Sequence, residues 1–328
     1  MTNQARTPAI AVTGLRKAFG STTVLDGIDL NIPAGSIFAL LGPNGAGKTT
    51  TVQILSTLIP ATAGQVLVAG YDVATEPDAV RAAIGVTGQF SAVDNLLTGR
   101  ENMLLMADLC HLPRQEGRER AAALLGEFEL TEAAGKPAAT YSGGMRRRLD
   151  IAMTLMIRPR ILFLDEPTTG LDPRGRRRMW QIVRDLASGG VTIFLTTQYL
   201  EEADELAGRA AVLDHGHIVA EGSPDELKRL VPGSHIRLEF PGQTEFDAAA
   251  RVLPGVSRDG EALRVPTDGS VQSLRAVLDQ LDTHSLEVSG LTVRTPDLDD
   301  VFLALTGHPV TGQPGTSRPA PAAKDSSR

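Results

Sequence analysis

Residues 36–49 read SIFALLGPNGAGKT, and this stretch decides the fold. SIFALLG (36–42) is an apolar run with the length and composition of a buried β-strand. GPNGAGKT (42–49) fits the pattern G-x-x-x-x-G-K-[ST], and TTTVQILSTLI (49–59) after it is predicted to be a helix. A strand, a glycine-rich loop and a helix in this order predict a phosphate-binding loop.

The residue types in the loop are those that phosphate chemistry needs. Its glycines let the backbone curl until several N–H groups converge on phosphate oxygens, and the helix N-terminus adds a positive dipole end. We expect Lys48 to neutralise the β- and γ-phosphates and the Thr49 hydroxyl to bind Mg²⁺. A glycine-rich turn without a ligand is the alternative, and the strand and helix on either side favour ATP. The predicted ATP-binding residues of the loop are Gly42, Pro43, Asn44, Gly45, Ala46, Gly47, Lys48, Thr49 and Thr50.

A second apolar run, ILFLDEP (161–167), ends in two carboxylates. Asp165 suits the Mg²⁺ shell, bound through water, and Glu166 suits the orientation and deprotonation of the attacking water. Taken alone, such a pair is an ordinary solvated strand end. Beside a phosphate-binding loop the catalytic interpretation is favoured.

Composition limits the other functions of the chain. Its 328 residues indicate about two domains, and 32 basic against 39 acidic residues give a net charge of −7, which argues against nucleic acid as a partner. Cys110 is the one cysteine, so no intrachain disulfide is possible. No stretch reaches the roughly 18 apolar residues that a membrane helix needs. We therefore expect a soluble or at most peripheral protein.

The order of apolar runs predicts an α/β protein with three regions. Residues 9–232 alternate short strands and helices, with a less strand-rich helical insert at about 90–157. Residues 233–307 follow the order β-α-β-β-α-β, which predicts a small α+β domain of ferredoxin-like form. Residues 308–328 are rich in Pro, Gly, Ser and Thr, so a disordered tail is expected.

Three helix starts have capping signals. Thr98 and Glu101 have the spacing of a capping box, and Asp172 and Ser223 each precede a proline at a first helical position.

The stretch TYSGGMRRRLDIAM (140–153) places Ser142-Gly143-Gly144 directly before another predicted helix, which indicates a second anion site. These motifs, in this order, resemble the nucleotide-binding domain of ABC (ATP-binding cassette) ATPases, and the likeness covers about the first 230 residues. The resemblance implies a P-loop NTPase fold with a helical subdomain.

The resemblance also assigns roles that the residues alone do not. Phe19 matches the aromatic residue that stacks on adenine, although by itself it would be read as core. Gln89 matches the glutamine that contacts Mg²⁺ and the attacking water, although by itself it would be a surface amide. Ser142, Gly143 and Gly144 match the signature motif, which binds the γ-phosphate held by the opposite protomer, and Asp172 matches a residue at the dimer seam.

Two residues depart from the usual signature, since Tyr141 precedes and Met145 follows the Ser-Gly-Gly core. They occur together with VTGQ, LTTQYLEEAD and LDDVFLALTGH (298–308), a set that resembles the ATP-binding subunits of the daunorubicin/doxorubicin-resistance type of drug exporter. That likeness extends almost to residue 308. It implies a homodimer of ATPase subunits on two copies of a multi-spanning permease, at the cytoplasmic side of the cell membrane. The C-terminal domain is expected to help dimerisation or coupling.

The implied function is hydrolysis of ATP to drive efflux of a hydrophobic drug, anthracycline-like, or of a lipid-like compound. The alternatives are a soluble ABC ATPase acting on the ribosome or nucleic acid, and the ATPase of another class of ABC transporter. The sequence contains one phosphate-binding loop, one Ser-Gly-Gly motif and no insert with heptad periodicity. These features favour the exporter over the soluble ATPase.

TTQYLEEAD (196–204) raises a separate question, because Gln198 ends an apolar strand. It is either a turn residue or a side chain directed at a ligand. Most ABC ATPases have a histidine at the matching position, and glutamine keeps a hydrogen-bond donor and acceptor but gains no charge. The predicted catalytic residues are thus Glu166, Gln198 and Lys48.

Other polar clusters have ordinary explanations. The basic runs at 146–148 and 174–178 are expected to be solvated or paired with nearby carboxylates. His215 and His217 flank the glycine of a predicted hairpin, and Trp180 is expected in the core.

Overall fold

A computed structural model describes residues 8–88, 92–231, 234–294 and 296–307, which form three β-sheets with helices packed between and around them. The strands are β1 (Pro8–Phe19), β2 (Thr22–Pro33), β3 (Ile37–Leu41), β4 (Ala63–Val68), β5 (Tyr71–Asp72), β6 (Ile84–Thr87), β7 (Ile161–Asp165), β8 (Thr192–Thr197), β9 (Arg209–Asp214), β10 (His217–Gly222), β11 (His235–Glu239), β12 (Ser257–Asp259), β13 (Ala262–Pro266) and β14 (Gly290–Arg294). The α-helices are α1 (Lys48–Leu55), α2 (Pro77–Ala83), α3 (Gly99–Leu109), α4 (Arg114–Glu127), α5 (Gly143–Thr154), α6 (Pro173–Ser188), α7 (Leu200–Leu206), α8 (Pro224–Lys228), α9 (Gln243–Val252), α10 (Val271–Thr283) and α11 (Leu298–Thr306).

The central sheet has the strand order β10-β9-β3-β8-β7-β6. β3 runs parallel to β8, with Leu41 opposite Thr197, and β7 runs parallel to β8, with Asp165 opposite Thr196. These strands are continuous apolar runs that are buried almost completely, as parallel strands covered on both faces must be. Their carboxyl ends therefore meet at one edge of the sheet.

The second sheet is antiparallel, in the order β2-β1-β4-β5. Alternate residues of its strands are buried, and Ile10, Leu30 and Val68 share a core with Phe38 and Leu40 of the central sheet. The sequence predicts short strands here, whereas β1 and β2 have 12 residues each. They pair with each other as a long hairpin, which ends at Phe19 and Thr22.

The predicted helix starts at Thr98, Asp172 and Ser223 are present as side-chain caps, and those at Thr98 and Ser223 are complete capping boxes. The helix predicted over 49–59 is wrong at its end. α1 stops at Leu55, where Ser56 is the C-cap and Thr57 adopts a positive φ of 63°. A β-branched residue in that left-handed conformation ends the helix.

The third sheet has the order β12-β13-β11-β14, and with α9 and α10 it forms the β-α-β-β-α-β topology of a ferredoxin-like unit. Its own core contains Ile236, Leu238, Phe246 and Leu263. The predicted tail, residues 308–328, lies outside the described residues, as does Gln89.

α11, which follows this unit, packs back on the main body of the molecule. Its residues Leu298, Val301 and Phe302 belong to the same core cluster as Leu200 of α7 and Leu227 of α8. The C-terminal part of the chain is therefore tied to the helix that follows Gln198.

Within the described part of the chain, we find no helix with both the length and the apolar character needed to cross a membrane.

We predict that Phe302→Ala lowers the free energy of unfolding by about 3 kcal/mol or more, because it leaves a cavity in a closed core. Leu303→Ala is the matched control, since Leu303 is 49% exposed whereas Phe302 is 4% exposed. Urea unfolding followed by circular dichroism measures both. Equal effects of the two substitutions would contradict the packing of α11 described above.

Candidate functional site

The phosphate-binding loop connects β3 to α1, and its backbone is curled as the sequence predicts. Gly45 and Gly47 both have positive φ, 84° and 110°. A Cβ on Gly47 would lie 2.5 Å from Leu25 Cδ2 and 3.2 Å from the Val24 carbonyl oxygen. Both the backbone conformation and the close approach of β2 therefore require glycine at position 47.

Lys48, the first residue of α1, is buried against this loop. Its Nζ donates hydrogen bonds to the carbonyl oxygens of Gly42 at 2.7 Å and Pro43 at 3.1 Å. Burial lowers the pKa of Lys48, and the nearby carboxylates of Glu166 and Asp165 oppose that change. The ammonium group is thus held in the loop between carbonyl oxygens and two acidic side chains.

Asp165 is the centre of a hydrogen-bonded chain at the sheet edge. Its Oδ2 accepts from Thr49 Oγ1 at 3.1 Å, and its Oδ1 accepts from Thr196 Oγ1. Hydroxyl and carboxylate oxygens are ligands that Mg²⁺ prefers, and Mg²⁺ usually takes one or two carboxylates together with phosphates and water. Thr49 and Asp165 therefore fit Mg²⁺ bound with a nucleotide.

Glu166 has an unusual backbone conformation for its residue type. Its φ is 48°, a left-handed value that costs on the order of 1 kcal/mol or more in a non-glycine residue. The Glu166 N–H donates to the backbone oxygen of Thr196 at 3.0 Å and to its Oγ1 at 3.2 Å, and Thr169 Oγ1 donates to Glu166 Oε2 at 3.2 Å. These contacts hold a strained residue at the predicted position of the base.

A cavity of about 380 Å³ lies over the loop. Its wall is formed by Val24, Asn44, Gly45, Gly47, Lys48, Thr49, Thr50, Glu166 and Gln198. The three residues predicted to be catalytic thus line one cavity. Gln198 directly follows β8. The parallel pairing of β3, β7 and β8 therefore places it at the same edge of the sheet as the loop and Glu166.

Phe19 is outside the wall of this cavity, and Val24 of the neighbouring strand is part of it. The Phe19 ring is 50% exposed at the β1–β2 turn, and the Lys17 ammonium lies 4.7 Å from the ring centroid. One side of the ring is thus in contact with a cation, while half of its surface is open to solvent.

The Ser-Gly-Gly motif lies apart from the phosphate-binding loop. Ser142 is the N-cap of α5, and its Oγ accepts a hydrogen bond from Met145 N at 3.2 Å. Gly143 lines a second cavity, of about 470 Å³, with Arg146, Arg147, Glu166 and residues 169–171. Asp172 is exposed and caps α6 through a 2.9 Å hydrogen bond from Gly175 N. Within one chain, these residues do not line the cavity over the loop.

Three polar residues with little solvent exposure around this site were missed from the sequence. Thr196, the partner of Asp165, lies in an apolar strand and gave no signal of its own. Arg147 was expected to be solvated or paired with a nearby carboxylate; it is paired with Asp150 at 3.4 Å, and its side chain is only 12% exposed, which the sequence did not indicate. An available signal was Asp150, three residues later in an otherwise apolar helix face.

Glu202 is the third missed residue, and it is completely buried in α7. Neither carboxylate oxygen has a hydrogen-bond partner in good geometry among the described residues. Burial raises its pKa to about 7, while Thr197, Thr168, Trp180 and Arg147 nearby oppose the rise. The available signal was its position four residues before Leu206. Residues four apart lie on one face of a helix, so Glu202 shares the face of a buried apolar residue.

Comparisons with known proteins agree with this geometry. Residues 25–169 match the family model described as ABC transporter. The chain is 48% identical to the daunorubicin/doxorubicin resistance ATP-binding protein DrrA of Streptomyces peucetius, over 94% of this chain and 95% of that protein. It is 36% identical to the Nod factor export ATP-binding protein I of Ralstonia nicotianae, over 92% of this chain and 95% of that protein. A solved ATP-binding subunit of an ABC transporter superposes with a TM-score of 0.61 at 27% identity, covering 68% of this chain and 92% of that one.

The buried carboxylate predicts a pH dependence of stability. The pKa of Glu202 rises from 4.5 to about 7 on folding, so the folded state binds the proton more tightly than the unfolded chain. Its ionisation therefore lowers stability as the pH rises through this interval, and the loss is constant above it. Glu202→Gln removes that loss. The melting temperature of Glu202→Gln minus that of the wild type should therefore increase from pH 5 to pH 8.

Thermal unfolding at several pH values in that range measures the difference. Glu201→Gln is the control, because Glu201 is the exposed neighbour of Glu202 in α7. A difference between Glu202→Gln and wild type that does not change with pH would contradict the raised pKa.

Proposed function

Since the chain belongs to the DrrA-type family of ABC transporter ATP-binding proteins, an ATPase family, we propose that it powers efflux of a hydrophobic drug or lipid-like compound through a separate membrane subunit. The observation that carries the proposal is the convergence of Lys48, Glu166 and Gln198 on one cavity over the phosphate-binding loop. Binding of ATP and its hydrolysis to ADP and phosphate follow from the family.

In the proposed mechanism the triphosphate lies along residues 42–49. Loop N–H groups and Lys48 bind its oxygens, and Thr49 and Asp165 would hold Mg²⁺, with Gln89 as a further ligand. When bound, the metal would supply positive charge beside the β- and γ-phosphates. Glu166 accepts a proton from a water molecule. The oxygen of that water attacks the γ-phosphorus, and the bond between the γ-phosphorus and the ADP oxygen breaks. Gln198 donates a hydrogen bond to the γ-phosphate or orients the water.

We further propose that two copies of the chain bind two ATP molecules between them. Ser142 and Gly143 are exposed at the N-terminus of α5, where the free N–H groups and the helix dipole favour an anion. In their own chain they lie outside the cavity over the loop. A γ-phosphate held by a second copy would complete that site, with Asp172 at the seam and Phe19 against the adenine.

ATP-binding subunits of ABC transporters work with a membrane permease component. For this chain we propose two copies of a multi-spanning permease, with the ATPase dimer bound peripherally at the cytoplasmic side of the cell membrane. The ferredoxin-like unit, residues 233–307, is proposed to support dimerisation or coupling.

The names of the relatives guide the proposed substrate class. The more similar relative is named for resistance to daunorubicin and doxorubicin, which are hydrophobic compounds, and the other is named for export of Nod factor. Both align over more than nine-tenths of this chain. The alternative of a soluble ATPase acting on the ribosome or nucleic acid is therefore not favoured.

We predict that Gln198→Ala lowers kcat about 10- to 100-fold and changes the Kd for ATP by no more than about threefold, since the amide acts mainly on the reacting groups. Steady-state ATPase assays and a nucleotide titration measure the two quantities. Gln198→His is the companion variant, and its activity should depend on pH near neutrality because imidazole titrates there. An unchanged kcat in Gln198→Ala would make Gln198 a turn residue only.

We predict that Glu166→Gln binds ATP, hydrolyses it only at a slow residual rate, and forms a stable dimer with ATP and Mg²⁺ but not with ADP. Size-exclusion chromatography with light scattering measures the mass. The double variant Glu166→Gln, Gly143→Asp is the test of the interface, because an acidic side chain suits a first helical turn but repels a partner's γ-phosphate. A Cβ at position 143 meets no atom within 4 Å, so the double variant should fold.

Two results would contradict these roles. Wild-type turnover by Glu166→Gln would exclude Glu166 as the base. A dimer that persists with Gly143→Asp would exclude the proposed contact between the signature motif and the nucleotide.

A further inference from the structure

Arg147 contacts the backbone on both sides of Glu166. It lies on α5, and its Nη2 donates a 2.9 Å hydrogen bond to the carbonyl oxygen of Asp165. Its Nε donates to the carbonyl oxygen of Pro167 at 3.2 Å. One planar guanidinium thus holds the residue before and the residue after Glu166.

The other side of the guanidinium is anchored as well. Nη1 donates to the carbonyl oxygen of Gly88 at 2.7 Å and lies 3.4 Å from Asp150 Oδ2. Asp150 is itself buried, and its Oδ1 accepts from Ala92 N at 3.0 Å. Burial lowers the pKa of Arg147, and Asp150 is the first of the carboxylates that oppose this change. A buried charge with these partners has a fixed position.

The geometry of Glu166 explains why such a clamp matters. Its φ of 48° is a strained value, so the chain would relax to another conformation unless its neighbours held it. Thr196 fixes only the N–H of Glu166, through bonds of 3.0 and 3.2 Å. The Asp165 carbonyl lies in the peptide plane directly before Glu166, and the Pro167 carbonyl lies in the second plane after it. Both accept from Arg147, so the chain is held on each side of Glu166.

We propose that Arg147 is the positioning residue for Glu166: by bracketing its backbone, the guanidinium keeps the carboxylate directed at the cavity over the phosphate-binding loop. This inference rests on the proposed role of Glu166. Arg147 also lines the cavity beside Gly143, but four of its five N–H donors are engaged by Asp165, Pro167, Gly88 and Asp150, so we assign its action to Glu166 and not to the nucleotide.

Arg147→Lys tests the inference, because it keeps the charge beside Asp150 but loses the fork that reaches both carbonyls. We expect kcat to fall about 10- to 100-fold, as small misplacements of catalytic groups cost that much, while the Kd for ATP stays within about threefold. Arg148→Lys is the matched control. Arg148 is the next residue of α5, is 18% exposed and donates to the Phe128 carbonyl oxygen at 2.9 Å, away from Glu166.

The decisive measurement repeats the substitution in the Glu166→Gln background, with single-turnover hydrolysis of radiolabelled ATP as the readout. If Arg147 acts through Glu166, the residual rate of Glu166→Gln should not fall further. A rate loss of the same factor in both backgrounds would overturn the inference, as would wild-type turnover by Arg147→Lys. Wild-type turnover by Glu166→Gln would instead refute the proposed base, which separates the two failures.

A second variant tests the same inference if Arg147→Lys does not fold. Arg147→Gln with Asp150→Asn removes both buried charges together and leaves polar side chains of similar size. The same loss of kcat at unchanged Kd is expected. Normal kcat in that folded double variant would overturn the positioning role.

Discussion

The parallel register of β3, β7 and β8 is the constraint on which the rest of the structure depends. Asp165 lies opposite Thr196, and Leu41 lies opposite Thr197, so the three strands end within one residue of each other. Asp165 is the last residue of β7, and the phosphate-binding loop, Glu166 and Gln198 are the next residues after β3, β7 and β8. A slip of one residue in this register would turn every side chain of a strand to the opposite face.

The hydrogen bonds at this edge make the register specific. Asp165 accepts from Thr49 of α1 and from Thr196 of β8, so one carboxylate ties together three segments distant in sequence. Glu166 is held by Thr196 from one side and, through its neighbours, by Arg147 from the other. Lys48, Asp165 and Arg147 thus have partners, while the backbone strain at Glu166 is offset by the contacts around it.

The sequence predicts those parts of the fold that have a local pattern. The runs that became β3, β7 and β8 are continuous and apolar, and the caps at Thr98 and Ser223 follow from spacing and side-chain chemistry alone. The end of α1 was missed because local composition does not reveal the positive φ of Thr57. The predictions of strands and caps were correct because residues close in sequence determine them. The predicted end of α1 was wrong because composition alone does not determine it.

The same distinction applies to the site. Lys48, Glu166 and Gln198 are predicted to be catalytic because each stands at a loop or strand end, and the structure places all three in the wall of one cavity. Arg147 and Glu202 were missed because the face of a helix that becomes buried depends on which elements pack against it. Phe19 was assigned by resemblance, and in this single chain it stays outside the cavity wall.

A structure of Glu166→Gln with ATP and Mg²⁺ tests the central claim most directly. We expect the triphosphate along residues 42–49, the metal at Thr49 and Asp165, and the γ-phosphate between Gln198 and the Ser-Gly-Gly motif of a second copy. The backbone at position 166 should keep its left-handed conformation, with both neighbouring carbonyls still bound by Arg147. A nucleotide bound away from the loop, or Gln198 turned away from the γ-phosphate, would contradict the account.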